Sequence, residues 1–190
     1  MKKILALLVL LTLLAVGCNS NDTGGTNNSV QPQETQIADE SKTESTEQTT
    51  DKIDKTSPDF ELETLDGTTI KLSDLKGKNV IINFWATWCG YCVLEMPDLQ
   101  KLQDAYKDED LLILAVNVGE TKEVVQKFME ENKLNLTVLL DTDSSIANLY
   151  GLRSFPSTIA VNKNGEIVTG YVGMLTYSQM EKLYGYFEQE

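Results

Sequence analysis

The spacing of apolar residues divides the chain into three stretches. From Ile4 to Val16 they run almost unbroken behind Lys2 and Lys3, and from Asn19 to Ser57 they nearly vanish. From Ser57 onward they recur with the periods of strands and helices. In this last stretch Asp59–Leu62 and Thr68–Leu72 flank Asp66-Gly67, a hairpin signal. Asn79–Trp85 is a continuous apolar and β-branched run suited to a buried strand. It leads directly into Cys89-Gly90-Tyr91-Cys92 and a helix to about Lys107. Leu111–Val118 reads as a second buried strand. Thr121–Asn132 reads as an amphipathic helix with Val124, Val125 and Phe128 on its apolar side. Thr137–Leu140 is a third strand of this kind, and Ser144–Tyr150 a short helix closed by Gly151. Thr158–Asn162 and Ile167–Val172 flank Asn164-Gly165, a second hairpin. Thr176–Glu188 closes the chain as a helix with Met180, Leu183, Tyr184 and Phe187 on one side.

Helical crossovers between apolar strands imply parallel pairing, whereas a terminal hairpin implies antiparallel pairing. The expectation is an α/β domain with a mixed central sheet flanked by helices on both faces.

The first stretch has the charged, apolar and small-residue order of a secretory signal, with Gly17 leading to Cys18. It is too short to cross a bilayer core comfortably, which takes ~20 apolar residues. Ala15-Val16-Gly17-Cys18 resembles the lipobox of bacterial lipoproteins, which commonly has Leu where this chain has Ala15. The resemblance implies removal of residues 1–17 and acylation of Cys18, and two or more acyl chains give stable membrane attachment. Residues 18–57 then form an acidic, Ser/Thr-rich tether. From Asn19 to Ser57 there is no aromatic residue, and the only aliphatic ones are Val30, Ile37, Ala38 and Ile53. Such a segment buries too little to offset its ordering entropy and is expected to be disordered. As a coil it spans roughly 30–40 Å root-mean-square. Residues 58–190 are the folded domain.

A net charge of −13 argues against nucleic acid, because neutralising phosphates takes clustered Lys and Arg. The chain has no histidine, which excludes Ser-His-Asp and Cys-His hydrolases and His-ligated metal. Its three cysteines are Cys18, Cys89 and Cys92. A structural zinc site normally takes four ligands, and Cys89 with Cys92 supply two. No metal and no cofactor are therefore expected, and the pair has to be explained as a dithiol.

Cysteines at i and i+3 on a helix lie one turn apart on one face, within reach of a disulfide. Unpaired amide groups at the helix start favour a thiolate there. Cys89, first and nearer solvent, is the candidate nucleophile. Cys92 is the candidate resolving thiol, which attacks Cys89 to release a mixed disulfide.

Asn83-Phe84-Trp85-Ala86-Thr87-Trp88-Cys89-Gly90-Tyr91-Cys92 resembles the active-site segment of thioredoxins. Together with Pro58-Asp59-Phe60, Glu95 and Pro97, the pattern resembles the membrane-associated TlpA/ResA branch from about Ser57 onward. The resemblance implies a thioredoxin-like fold with an N-terminal β-hairpin and a central insertion. It also implies thiol-disulfide exchange, mostly as a reductant of extracytoplasmic disulfides, in some members during cytochrome c maturation. Glu95, one turn past Cys92, is the candidate proton carrier. Thioredoxins proper have a buried Asp where this chain has Asn83, and an amide cannot shuttle a proton. Pro156 matches the family's cis-proline facing the dithiol. A cis bond there turns the backbone of Phe155 outward for pairing with a substrate strand. Trp88, Gly90 and Tyr91 complete the candidate substrate-binding surface. Pro97 is expected to bend its helix.

The implied partners are disulfide-bearing exported proteins, a membrane electron donor of the thiol-relay type, and the membrane itself through the N-terminal lipid. Three other readings compete. An oxidant that installs disulfides needs a very stable thiolate, yet no Lys or Arg lies between Phe84 and Gln100. A thiol peroxidase of the peroxiredoxin type carries Thr three positions before its reactive Cys, whereas Thr87 stands two before Cys89. A non-catalytic binding lipoprotein would tolerate loss of Cys89.

Overall fold

The structure, a computed structural model, describes residues 55–189. The expected signal segment, Cys18 and nearly all of the expected tether lie outside the described residues. Seven strands and four helices follow one another in the order β1 (Glu61–Glu63), β2 (Thr69–Lys71), β3 (Asn79–Trp85), α1 (Gly90–Ala105), β4 (Leu111–Val118), α2 (Lys122–Glu131), β5 (Thr137–Asp141), α3 (Ser145–Leu149), β6 (Ser157–Val161), β7 (Ile167–Val172) and α4 (Tyr177–Tyr184). β1 and β2 form an antiparallel pair, and the other five make one mixed sheet ordered β5-β4-β3-β6-β7. β4 runs parallel to β3 and β5, which α1 and α2 connect as crossovers. β6 is antiparallel to β3 and β7 antiparallel to β6. Between the β3-α1-β4 unit and the β6-β7-α4 unit stands the central element α2-β5-α3.

β3 sits in the middle because all seven of its residues are buried, and only a strand covered on both faces tolerates so continuous an apolar run. Its side chains alternate between two cores. Ile81 and Trp85 join Met96, Leu99 and Leu102 of α1, Val125 of α2 and Met180 of α4 on one face. Val80, Ile82 and Phe84 join Phe60, Leu72 and Ala147 of α3 on the other. Asn83 belongs by alternation to the α1 face, and in register it stands between Ala115 of β4 and Thr158 of β6.

Both hairpins fall at their Asx-Gly signals, where Gly67 and Gly165 adopt φ of +87° and +83°, a region nearly closed to residues with a Cβ. β3, β4 and β7 have the bounds the apolar pattern predicts. α2 corrects one expectation: Val124 is 47 % exposed, and only Val125 and Met129 are buried. Val124 and Val125 differ by 100° around a helix, so a narrow contact with the sheet admits one of them. The C-terminal helix also differs, since α-helix gives way at Tyr184 to a 3-10 segment, Gly185–Gln189. Tyr184 still reaches the core by stacking on Tyr106, with ring centroids 4.2 Å apart.

The chain joins this domain beside the second hairpin. Thr56 bridges Glu166, the Ser57 amide donates to the Gly165 carbonyl (2.9 Å), and the Ile167 amide donates to the Lys55 carbonyl (2.8 Å). Because Val161 pairs with Val80 and Ser157 with Phe84, this turn lies at the Asn79 end of β3, whereas Cys89 follows the Trp85 end.

Candidate active site

β3 delivers the chain to the site. After Trp85 a short turn, closed by the Cys89 amide donating to the Ala86 carbonyl (3.2 Å), places Cys89 as the N-cap of α1. The backbone amide of Cys92 points at the Cys89 sulfur, 3.2 Å away. Cys89 and Cys92 form a disulfide, with Cα atoms 5.2 Å apart. Only Cys89 has any appreciable surface, 8 % against 0 % for Cys92. An external thiol or disulfide therefore meets Cys89 first, at a helix start whose free N–H groups stabilise a thiolate.

Glu95 is buried, 1 % exposed, although a Glu one turn beyond the dithiol could equally have faced water. Both of its oxygens accept hydrogen bonds from distant parts of the chain. Asn83 Nδ2 donates to Oε1 (2.7 Å) and the Leu175 amide donates to Oε2 (2.8 Å). Burial pushes the carboxyl up to about 7, and the two donors and nearby Asp98 modify that value without reversing it. A group balanced between its two forms near neutrality is suited to receive and return a proton. Asn83 also donates to Thr158 Oγ1 (3.1 Å), and its own Oδ1 is buried without a hydrogen-bond partner among the described residues.

The Phe155–Pro156 peptide is cis. The Pro156 carbonyl accepts from the Gly173 amide (2.8 Å), tying this loop to the end of β7, and the Phe155 ring packs edge-on to Trp88 at 6.3 Å between centroids. Trp88 (71 %), Tyr91 (67 %) and Leu94 (66 %) are all exposed, an apolar rim beside the dithiol. Gly90, the first residue of α1, is exposed as well, and a Cβ there would meet open space. The fold thus brings together Cys89, Cys92, Glu95, Trp88, Gly90, Tyr91, Phe155 and Pro156. Cys18 lies outside the described residues. Pro97 lies within α1, which continues through it to Ala105.

Sequence reasoning passed over Thr158 and Leu175, which hold Glu95 and its partner, because each is remote from the dithiol along the chain. It also passed over Asn117 and Glu120. Their signal was available: polar residues that end a buried parallel strand stand where open α/β sheets build their sites.

The family profile of the AhpC/TSA family matches residues 53–169. Over 137 residues the chain is 40 % identical to the thiol-disulfide oxidoreductase ResA of Geobacillus kaustophilus, a match covering 72 % of this chain and 79 % of that protein. Over 123 residues it is 41 % identical to the ResA of Bacillus subtilis, covering 65 % and 69 %. Among solved structures it is similar to StoA of Bacillus subtilis (TM-score 0.61, 27 % identity, 68 % of this chain and 98 % of that one). It is also similar to the exposed lipoprotein thioredoxin of Streptococcus pneumoniae (TM-score 0.59, 32 % identity, 67 % and 98 %). A dithiol at the start of a helix, on a sheet of this topology and with relatives of this kind, admits one classification: the chain belongs to the AhpC/TSA family as a TlpA/ResA-like thiol-disulfide oxidoreductase.

Proposed function

We propose that this oxidoreductase works as a reductant of disulfides in exported proteins, held at the outer face of the bacterial cell membrane by lipid on Cys18. The buried carboxyl of Glu95 one turn from Cys92 is the observation that carries the direction. An oxidant needs a strongly stabilised thiolate, and a carboxylate behind the dithiol opposes negative charge on sulfur. The absence of Lys and Arg between Phe84 and Gln100 acts in the same sense.

In the reduced protein the Cys89 thiolate attacks one sulfur of a substrate disulfide. A mixed disulfide forms, and the other substrate sulfur leaves as a thiolate that takes a proton from water. Cys92 then passes its proton to the Glu95 carboxylate and attacks Cys89 Sγ. The second substrate sulfur leaves and takes the proton back from Glu95. Two electrons have moved to the substrate, and the Cys89–Cys92 disulfide is left. A membrane dithiol donor of the thiol-relay type restores the reduced state by the same exchange in reverse. Trp88, Gly90, Tyr91 and Phe155 supply the docking surface, backed by the buried Pro156, with the backbone of Phe155 as a pairing edge. Among the described residues neither its N–H nor its C=O is hydrogen-bonded. The haem-attachment cysteines of an apocytochrome c are one substrate of suitable chemistry.

The test is reduction of insulin by the full chain against Cys89→Ser, together with equilibration of the dithiol in glutathione buffers. Loss of turnover in the variant and a potential below that of glutathione are expected. A potential well above it would make the protein an oxidant, and full activity in Cys89→Ser would make the dithiol a staple. The anchor is tested separately by incorporation of labelled palmitate in cells, which Cys18→Ala should abolish.

A further inference from the structure

A second acidic residue, Glu120, is bonded to the turn that leads into Cys89. It lies in the middle of the β4–α2 loop, half-buried, and accepts hydrogen bonds from three neutral donors. The Thr87 amide donates to Oε2 (2.7 Å), the Thr87 hydroxyl to Oε1 (2.5 Å), and Asn117 Nδ2 to Oε2 (2.8 Å). Among the described residues no Lys or Arg forms an ion pair with it. Asn117, the buried member, stands beside Trp85 in the β3–β4 register; its Nδ2 donates to Glu120, and among the described residues its Oδ1 has no hydrogen-bond partner. Neutral donors to a carboxylate form shorter and stronger bonds than neutral pairs, and two of the three here come from Thr87, in the turn that carries the dithiol.

Thr87 is bracketed by Trp85, fully buried, and Trp88, 71 % exposed. Holding its amide and hydroxyl at once fixes both the position and the rotation of the turn. The Trp88 ring then stands beside Phe155 across the mouth of the site. An exposed indole on a loose turn would explore many orientations, and ordering it on contact with a partner would weaken binding.

We propose that Glu120 is a positioning residue for polypeptide substrates: by clamping Thr87 it presets the Trp88–Phe155 lip against which a cysteine-flanking segment docks. The proposal rests on the reading of the protein as a disulfide reductase. Small disulfides, which reach Cys89 without using the lip, depend on the clamp far less than polypeptides do. In Glu120→Gln the single remaining oxygen cannot satisfy all three donors, and the new NH2 group opposes at least one of them.

The pre-reduced full chain is mixed with excess insulin or excess oxidised glutathione, and its oxidation is followed by tryptophan fluorescence. The ratio of second-order rate constants, insulin over glutathione, should fall about tenfold in Glu120→Gln, through a higher half-saturation concentration for insulin. Thr87→Val should lower the ratio in the same direction, and Thr87→Ser, which keeps both donors, should restore it. A ratio unchanged in Glu120→Gln while the wild type reduces insulin overturns the positioning role alone, as does an equal fall with both substrates. A wild type that reduces neither substrate overturns the reductase reading and this proposal with it.

Discussion

The side-chain amide of Asn83 donates to Glu95 across 2.7 Å, joining the central strand to the dithiol helix inside the core. The bond selects the oxygen that Glu95 turns away from its other donor, Leu175, and it leaves a carboxyl that ionises near neutrality in a place where most carboxyls would be paired with a cation.

Stability should therefore decline as pH rises from about 4.5 to about 7. In that window the native protein holds a proton on Glu95 that the unfolded chain has released, so unfolding becomes easier with each step upward. The contribution is fully present below the unfolded value and gone above the folded one. It amounts to on the order of 3 kcal/mol. Urea unfolding of wild type and Glu95→Gln across this range measures it, because the difference between the two curves cancels the other carboxyls. A difference independent of pH would show that Glu95 ionises normally. The rate of dithiol oxidation should inflect over the same range in the wild type and lose that inflection in Glu95→Gln.

Asn83→Asp should split the titration. Two carboxyls in hydrogen-bond contact cannot both ionise at a single pH, so they share one proton. One apparent pKa should fall below that of the wild-type Glu95 and the other rise above it, as read from carboxyl carbon shifts by NMR. A single unchanged transition would mean that the two side chains are not in contact.

The two tryptophans should behave as opposites. Trp85 is fully buried and packs on Phe128 at 5.2 Å between ring centroids, so Trp85→Ala should cost about 3–5 kcal/mol in chemical denaturation. Trp88→Ala removes an exposed ring and should change stability by no more than ~0.5 kcal/mol. It should nonetheless raise the half-saturation concentration for insulin several-fold. Equal stability losses in the two variants would contradict the burial contrast.

Tyr150 fastens the beginning of the domain. Its hydroxyl donates to the Pro58 carbonyl (2.8 Å) and lies 2.8 Å from Ser57 Oγ, and its ring packs against Phe60 and Phe84. Burial raises the phenol to about 12, so this bond persists through ordinary pH. Tyr150→Phe keeps the packing and loses the bonds, at about 1–1.5 kcal/mol. Hydrogen exchange at the Ser57 amide should accelerate more than exchange in β3, which speeds up only by the global loss of stability. Acceleration spread evenly over the domain would indicate global loosening instead.

The elements most legible in the sequence were those whose environment is uniform. β3 and β4 are buried on both faces, so their apolar runs carry no ambiguity of period, and the hairpins announce themselves at Asp66-Gly67 and Asn164-Gly165. The dithiol was equally plain, since the i, i+3 spacing at a strand-to-helix junction is itself the geometry. What the sequence concealed was assembled from far apart. The burial of Glu95 depends on Asn83 in β3 and on an amide at Leu175, and a helix pattern alone cannot tell a Glu facing a core from one facing water. Glu120 and Thr87 escaped for the same reason, being neighbours only after β4 has paired with β3. Val124 misled because local amphipathicity does not reveal how narrow the contact with the sheet will be.

One end of β3 receives the incoming chain at Lys55–Ser57, and the other delivers Cys89, so about 20 Å of strand separates them. An entry point at the rear leaves the working face of the domain unobstructed. A large partner can settle over the sulfur without disturbing the pairing of Lys55–Ser57 with the Gly165–Ile167 turn, because the two lie at opposite ends of the central strand.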